Sequence, residues 1–297
     1  MLTHLFPEPQ RPSRVLILGA NGFIARNLAE VLEREQIACR RVGSGEVDLI
    51  GPGAVEKLGQ ILAPDDAVVV TSALTPDKGR DPATLMKNLR MAETLCAAFG
   101  PGGCAHVIYI SSDAVYDWRS SLINEQSSCE PSDLYAVMHI GRERMLGYAC
   151  QAARIPYAVV RPCAIYGAGD THNSYGPNRF LRTAISEGKI RLFGQGEEQR
   201  DHVWVRDVAE ILKLCLLYRS AGVVNAVSGK AVSFYELAQR IISVVGRGVA
   251  LEFQPRNGPV THRHFDISLL ARAFPAFQPI PLEVGIAQVA AGMSQVL

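Results

Sequence analysis

Short apolar runs alternate with segments of helical spacing along most of the chain. The runs predict strands at Val15–Leu18, Ala38–Val42, Ala67–Thr71, Val107–Ser111, Tyr157–Arg161 and Val223–Val227. The intervening segments predict helices at Ala83–Phe99, Tyr135–Ala153, Arg179–Glu187, Asp207–Tyr218 and Ser233–Val245, the last capped by Ser233 with Glu236 three residues on. Because strands and helices alternate, we expect a parallel sheet.

The first strand runs into a glycine-containing turn and then a helix. The turn reads Gly19–Ala25, and Ile24, Leu28 and Leu32 give the helix that follows an apolar stripe. Gly19 and Gly22 let backbone N–H groups approach a pyrophosphate at the helix N-terminus. This strand-turn-helix therefore predicts a dinucleotide-binding site.

Composition narrows the function classes. The chain has 297 residues, is 48% hydrophobic and carries a formal net charge of +1, which does not suit a nucleic-acid binder. Its seven cysteines are scattered, without a Cys-x-x-Cys pair, so we expect a reduced compartment and no metal site. We find no secretory signal and no membrane span, and we expect a cytoplasmic protein without a membrane partner.

The chain divides into two predicted regions. Residues 1 to about 13 read as an extended tail, and residues 14–165, joined by about 201–228, as the dinucleotide-binding domain. Residues 166–200 and 229–297 form a smaller lobe in this prediction. The glycine-rich stretch from Tyr166 to Gln199 has the composition of substrate loops rather than of core.

Three segments carry a resemblance to a known family: Gly19–Ala25, Ser111–Tyr116 and Tyr135–His139. With Arg161–Gly167 and Leu192–Asp201, they resemble the extended short-chain dehydrogenase/reductases, which include NAD-dependent epimerases, dehydratases and reductases of nucleotide sugars. The resemblance covers nearly the whole chain. It implies a Rossmann-type α/β fold, a doubly wound parallel sheet with a small C-terminal substrate lobe, and a homodimer paired through the helix that bears Tyr135.

The resemblance also implies a catalytic group. Ser112 matches the hydroxyl that orients the reacting carbonyl, and Tyr135 matches the residue that exchanges a proton with it. The family usually has a lysine four residues after this tyrosine, but here the position is His139, which supplies only part of a positive charge at neutral pH. Arg142 either supplies the missing charge or points into solvent. Without a nearby cation, Tyr135 stays protonated, which favours carbonyl reduction over alcohol oxidation.

Further residues are assigned to substrate by the same resemblance. Arg200 matches an arginine that grips the nucleotide diphosphate, and Asn178 and Arg179 begin a helix that lies against the sugar nucleotide. Asp113 matches the first residue of the Asp-Glu pair of the sugar dehydratases. The second position is Ala114, so dehydration is disfavoured.

Cofactor contacts are expected along the carboxyl ends of the strands. The end of the second strand offers no acidic residue for an NAD ribose, and Arg41 and Ser44 there suit a 2′-phosphate, so NADP is favoured over NAD. Asp48 resembles the adenine-side segment of related reductases. The remaining cofactor positions implied by the resemblance are Gly19, Asn21, Gly22, Phe23, Ile24, Ser72, Ala73, His139 and Pro162.

Two functions remain open at this point. The first is an NAD(P)-dependent reductase or epimerase acting on a nucleotide sugar. The second is a non-catalytic regulatory or redox-sensing protein that binds the cofactor but has lost the lysine.

Overall fold

The computed structural model describes residues 2–100, 102–170, 172–246 and 248–294. Its strands are β1 (Thr3–His4), β2 (Arg14–Leu18), β3 (Cys39–Val42), β4 (Asp66–Val70), β5 (His106–Ile110), β6 (Leu122–Ile123), β7 (Tyr157–Pro162), β8 (Ala164–Tyr166), β9 (Lys189–Phe193), β10 (Gln199–Trp204), β11 (Ser220–Ala226), β12 (Ala231–Ser233), β13 (Ala250–Gln254) and β14 (His264–Phe265). Its helices are α1 (Phe23–Arg34), α2 (Ala54–Ile61), α3 (Pro82–Ala98), α4 (Leu134–Ala153), α5 (Pro177–Glu187), α6 (Val205–Leu217), α7 (Phe234–Val245), α8 (Ser268–Ala273) and α9 (Leu282–Ser294).

The main sheet has seven strands in the order β1-β11-β7-β5-β4-β2-β3. All neighbouring pairs are parallel except β1 with β11 at the edge. Side chains of β2 alternate between the two faces: Val15 and Ile17 join one apolar core, and Leu16 and Leu18 join the other. Helices α1 and α6 cover the first core, and α2, α3 and α4 cover the second. The predicted Rossmann-type, doubly wound class is confirmed.

A third core lies outside the main sheet, between α5, α7, α9 and strands β9 and β10. It includes Phe180, Leu192, Trp204, Leu237 and Ile286, all buried. The expectation that residues 166–199 are substrate loop rather than core is therefore wrong, because α5 buries one apolar face there and β9 buries Ile190 and Leu192. The exact division into residues 14–165 with 201–228, and 166–200 with 229–297, stays a prediction.

The N-terminal segment is not a free tail. Thr3 pairs with Ala221 and His4 with Ser220 in an antiparallel ladder, and the Leu2 side chain is buried. The His4 imidazole also reaches the Ser220 hydroxyl through Nδ1 at 2.9 Å. This pairing covers one edge of the main sheet.

The described residues contain neither a candidate membrane-spanning helix nor a candidate metal site. In the part of the chain that the structure describes, no helix is both long enough and apolar enough to cross a bilayer. The same residues contain no group of three or more histidine, cysteine or acidic side chains arranged to hold a metal. All seven cysteines are unpaired.

Candidate active site

The turn between β2 and α1 is shaped to admit a ligand against its backbone. Gly19 has φ +113°, and a Cβ there would lie 2.6 Å from the Thr71 hydroxyl and 2.9 Å from the Ser72 nitrogen. Gly22 is the N-cap of α1 and makes no side-chain cap, so the first N–H groups of the helix are available. Asn21 is exposed between the two glycines. Such a turn suits a pyrophosphate.

The loop after β4 supplies a second part of the same edge. The Ser72 hydroxyl is buried and has no hydrogen-bond partner among the described residues, as expected for a group that bonds a ligand. Ala73 follows it, and the Asn88 side chain of α3 holds the next residue by bonding both the nitrogen and the oxygen of Leu74. Pro162 ends β7 at the same edge of the parallel sheet.

The end of β3 and the segment after it carry the residues that were expected to select the cofactor. Arg41 Nη1 donates to the Ala20 oxygen of the glycine turn at 3.0 Å, and Ser44 is exposed nearby in sequence. Asp48 Oδ1 accepts from the Ile50 nitrogen. The Arg41 guanidinium is thus placed against the glycine turn.

Two cofactor-assigned residues of α1 are mainly packing residues. The Phe23 side chain belongs to the third core, beside Gly167, and Ile24 packs against both that core and the first. Any contact of Phe23 with a cofactor is therefore expected from its backbone. The sequence pattern alone does not separate a backbone contact from a side-chain contact.

Ser112 and Tyr135 come together although 23 positions separate them. Ser112 caps the short turn Asp113–Val115, where its hydroxyl accepts from the Ala114 nitrogen, and Tyr135 lies in the first turn of α4. Burial raises the pKa of Tyr135 to about 12, opposed by a hydrogen bond with Ser112 and by the charge of Arg142. Tyr135 is therefore a proton donor at neutral pH.

His139 does not carry the partial positive charge that its position predicts. Its side chain is 3% exposed, and burial, assisted by the Arg142 charge, lowers its pKa to about 3. The imidazole packs edge-on against Tyr135, with ring centroids 4.6 Å apart. At pH 7 it is neutral, so the expectation of a partly charged His139 is wrong for the free protein.

Arg142 provides a positive charge that acts on both Tyr135 and His139, and its side chain does not point into solvent. Its side chain is fully buried, and its guanidinium carbon lies 5.1 Å from the centre of the Tyr109 ring. Nη1 is 3.4 Å from Asn88 Oδ1, whereas Nε and Nη2 have no hydrogen-bond partner in the described structure. Of the two alternatives for Arg142, the structure favours the one in which its guanidinium supplies positive charge near Tyr135.

A buried ion pair lies under the strand end that presents Ser112. Glu143 accepts from the Ser111 hydroxyl at 2.5 Å and pairs with the Arg161 guanidinium at 2.6 and 2.9 Å. Arg161 also stacks over the Tyr116 ring. These contacts connect α4 to β7 and to the residue between β5 and Ser112.

Asp113 is surrounded by arginine, including one that sequence reasoning missed. Arg263 is 1% exposed and donates Nη2 to the Asp113 backbone oxygen at 2.7 Å, and its Nε lies 3.5 Å from Asp113 Oδ2. Arg263 and Arg200 both stack on Trp118. Burial raises the pKa of Asp113, and the two arginines oppose the rise. No periodicity or motif marks Arg263 or Trp118 in the sequence.

Arg200 reaches the site but is already bonded. Its guanidinium donates to the Thr261 oxygen at 2.6 Å and to the Thr261 hydroxyl at 2.8 Å, and it lies 3.5 Å from Glu198. To bind a diphosphate, Arg200 would share or exchange these contacts.

The structure separates the other two substrate-assigned residues. The Asn178 amide is 3% exposed and bonds Gly167 N, Gly167 O and Asp170, so it holds the Gly167 turn closed. This accounts for its polar atoms without a substrate. Arg179 is exposed and lines a cavity of about 220 Å³ together with Tyr175, Phe180, Thr183, Arg191, Phe193 and Gln254.

The chain is similar to known proteins in its sequence family and in its fold. A model of the NAD dependent epimerase/dehydratase family matches residues 15–227. A GDP-L-fucose synthetase from Naegleria fowleri is 18% identical, with a TM-score of 0.86 over 99% of this chain and 97% of that chain. A UDP-N-acetylglucosamine 4-epimerase from Methanobrevibacter ruminantium M1, in complex with UDP-N-acetylmuramic acid, is 20% identical, with a TM-score of 0.84 over 97% and 100%. RMD from Pseudomonas aeruginosa, complexed with NADPH, is 20% identical, with a TM-score of 0.81 over 96% and 100%.

Proposed function

Because the chain belongs to the NAD dependent epimerase/dehydratase family, we propose that it is an NAD(P)-dependent reductase or epimerase that acts on a nucleotide sugar. Reduction of a keto sugar is the favoured half-reaction. The observation that carries this choice is a half-buried Tyr135 that keeps its proton, is hydrogen-bonded to Ser112 and lies beside a neutral imidazole. The structural likeness to proteins named for GDP-L-fucose and UDP-N-acetylglucosamine supports the substrate class.

The residues that would hold the dinucleotide fit such a ligand. Gly19 and Gly22 leave room for a pyrophosphate, the unpartnered Ser72 hydroxyl lies on the same edge, and Arg41 is available for a 2′-phosphate. The likeness to RMD complexed with NADPH and to MoeE5 in complex with UDP-glucose and NAD supports an NAD(P) cofactor. When bound, the nicotinamide supplies the hydride.

The chain's own residues then handle the proton. Ser112 donates a hydrogen bond to the carbonyl oxygen and orients it, and Tyr135 transfers its phenolic proton to that oxygen as the carbonyl carbon becomes an alcohol carbon. The phenolate regains a proton from water afterwards. In the reverse direction Tyr135 would first have to lose its proton, which its pKa of about 12 disfavours at pH 7.

A panel of nucleotide sugars, screened by thermal shift with and without NADPH, would identify the substrate. On that substrate we expect Tyr135→Phe to lose turnover while it still binds NADPH. Turnover that requires added NADPH in each cycle indicates a reductase, and tightly copurifying cofactor indicates an epimerase. A fully active Tyr135→Phe protein contradicts the proposal.

The second test concerns direction. We expect His139→Lys to place a cation about 4 Å from the Tyr135 phenolate, worth roughly 4 kcal/mol at an effective dielectric near 20, or about 3 pK units. Alcohol oxidation at pH 7 should then rise relative to carbonyl reduction, and its pH profile should move to lower pH. Gln151→Lys, which adds the same charge on an exposed position of α4, is the control. An equal response of the two variants contradicts the proposed role of position 139.

The alternative function has one observation in its favour, which is the neutral state of His139. A non-catalytic cofactor-binding protein would bind NAD(P)H with a defined affinity and reduce no nucleotide sugar in the panel. The retained Ser112–Tyr135 pair favours the enzyme.

We also propose the expected homodimer. Helices α3 and α4 pack together and expose apolar side chains, including Met86, 49% exposed, and Tyr148, 78% exposed. Light scattering of the purified chain measures its mass directly. A monomeric mass at micromolar concentration contradicts this part of the proposal.

A further inference from the structure

A tyrosine outside the catalytic group contacts His139 directly. Tyr109 lies on β5, is 1% exposed, and its hydroxyl is 2.8 Å from His139 Nδ1. The only other hydrogen-bond partner that the described structure provides for this hydroxyl is the Met138 sulfur, at 4.0 Å. The Tyr109–His139 contact is therefore the main polar interaction of both groups.

The direction of this hydrogen bond follows from the alternatives. If His139 Nδ1–H donated, the Tyr109 proton would be left with a distant thioether, which is a weak acceptor. If Tyr109 donates, its proton meets the lone pair of a neutral imidazole nitrogen. The Arg142 guanidinium over the Tyr109 ring makes the phenol a stronger donor. Burial raises the pKa of Tyr109, so the hydroxyl keeps its proton.

With Nδ1 accepting, the single proton of the neutral imidazole must be on Nε2. His139 Nε2 is buried and has no hydrogen-bond partner among the described residues. An unpaired buried N–H is costly, and functional sites are where such groups are found. His139 is one helical turn after Tyr135, and the two rings are in contact. The imidazole that carries this free N–H is thus in contact with the ring of the candidate catalytic tyrosine.

We infer that Tyr109 is a positioning residue, which holds the His139 imidazole as the Nε2–H tautomer so that this N–H donates to a hydroxyl of the bound cofactor's ribose. The inference rests on the cofactor-binding part of the proposed function. In this scheme a neutral imidazole is the donor at position 139, where the family usually has a charged lysine. Tyr109 on β5 sets the orientation and the tautomer of that imidazole. Tyr109 itself touches neither cofactor nor substrate in this scheme.

The tautomer can be measured in the free protein. In ¹⁵N NMR spectra of the imidazole groups, we expect His139 to show a protonated Nε2 and a pyridine-like Nδ1 at pH 7, with the signal assigned by its loss in His139→Gln. In Tyr109→Phe, the His139 signals should move toward the averaged values of exchanging tautomers. Tyr157→Phe is the matched control, because the Tyr157 hydroxyl contacts only the Glu143 backbone oxygen, at 3.4 Å.

Cofactor affinity provides the second readout, independent of any sugar. We expect Tyr109→Phe to weaken NADPH binding about tenfold in a fluorescence titration, as for one misplaced hydrogen bond, and Tyr157→Phe to leave it unchanged. In the His139→Gln background, Tyr109→Phe should have no further effect, since the two residues act as one unit. Thermal unfolding of each variant identifies any that is misfolded.

A native His139 protonated on Nδ1 overturns the inference, as does a Tyr109→Phe protein that keeps both the native tautomer and the native NADPH affinity. Additive losses in the double variant also overturn it. These outcomes are separate from failure of the proposed function, which would show as intact NADPH binding without turnover of any nucleotide sugar.

Discussion

Arg142 is a buried cation without a carboxylate partner. Its side chain is fully buried, its best contact is a 3.4 Å approach to Asn88, and two of its nitrogens lack hydrogen bonds in the described structure. A charge in this state costs free energy, and the compensation visible here is the Tyr109 ring beneath it. The same charge lowers the pKa of Tyr135 and of His139. Arg142 therefore lowers the folding stability of the chain, and it provides a positive charge that acts on Tyr135 and His139.

Arg142→Met tests both effects of the buried charge, on folding stability and on the pKa of Tyr135. Replacement of buried charges by apolar groups of similar volume is often neutral or stabilising by about 1–4 kcal/mol, so we expect an unfolding free energy equal to or above that of the native chain. Loss of the cation should raise the pKa of Tyr135 further, which moves the pH profile of alcohol oxidation to higher pH. Urea unfolding and the pH profile measure the two effects. Arg142→Lys, which keeps the charge, is the control, and an unchanged profile in Arg142→Met contradicts the electrostatic role.

At the residue scale, the sequence revealed groups that lie in motifs and missed groups that act through space. Ser112 and Tyr135 were predicted from local segments and meet in the structure. Tyr109 lies 30 residues before His139, and Arg263 lies 150 residues after Asp113. Such partners depend on how strands are ordered in the sheet, which local spacing does not encode.

The strand-turn-helix of β2 and α1 depends on one backbone conformation. Gly19 adopts φ +113°, and an added Cβ would lie 2.9 Å from the backbone nitrogen of Ser72. A non-glycine residue is strained in this region by about 1–3 kcal/mol, and here it also meets neighbouring atoms. The element can therefore keep its shape only with glycine at this position.

We expect Gly19→Ala to lower the unfolding free energy by at least about 1 kcal/mol and to weaken NADPH binding by more than tenfold, because the turn must move. Gly59→Ala is the matched control, since Gly59 is exposed in α2 with no atom within 4 Å of an added Cβ. That change should stabilise the protein by up to about 1 kcal/mol and leave binding unchanged. Chemical unfolding and fluorescence titration give both values, and equal effects at the two glycines contradict the argument.

At the element scale, prediction succeeded where burial is two-sided. The strands β2, β4 and β5 are apolar after their first residue and were located within one residue, and the predicted cap of α7 is present as a reciprocal pair between Ser233 and Glu236. Strand β9 was missed because it is short, mixes charged with apolar residues and lies within a glycine-rich stretch. Its pairing with β13, about 60 residues later, is what makes it a strand.

Buried neutral histidines are distributed over the whole molecule. His106 lies at the start of β5, His139 in α4 and His202 in β10, and each is at most 3% exposed. Burial lowers the pKa of His106 to about 4 and those of His139 and His202 to about 3. All three imidazoles are thus neutral in the folded chain at pH values where they bind protons in the unfolded chain.

This difference sets how stability depends on pH. Between about pH 6.5 and the folded pKa values, the unfolded chain binds more protons at these three sites, so the free energy of unfolding falls as the pH falls. Asp207 has the opposite effect, because burial raises its pKa to about 7. Between about pH 7 and pH 4 the folded chain binds a proton at Asp207 that the unfolded chain does not bind, so this group stabilises the fold as the pH falls. Because the three histidines outweigh this one carboxyl, the four groups together lower the free energy of unfolding as the pH falls.

His202→Phe isolates one of these contributions, since neither ring nitrogen of His202 has a hydrogen-bond partner in the described structure. One histidine with a folded pKa of about 3 and an unfolded value near 6.5 costs about 2 kcal/mol between pH 7 and pH 5. We therefore expect the native chain to lose about 2 kcal/mol more than His202→Phe over this interval in urea unfolding. Comparing each protein with itself at two pH values removes the packing change that the substitution causes. If both proteins lose the same free energy, His202 is protonated in the folded state, and its burial does not exclude the charge.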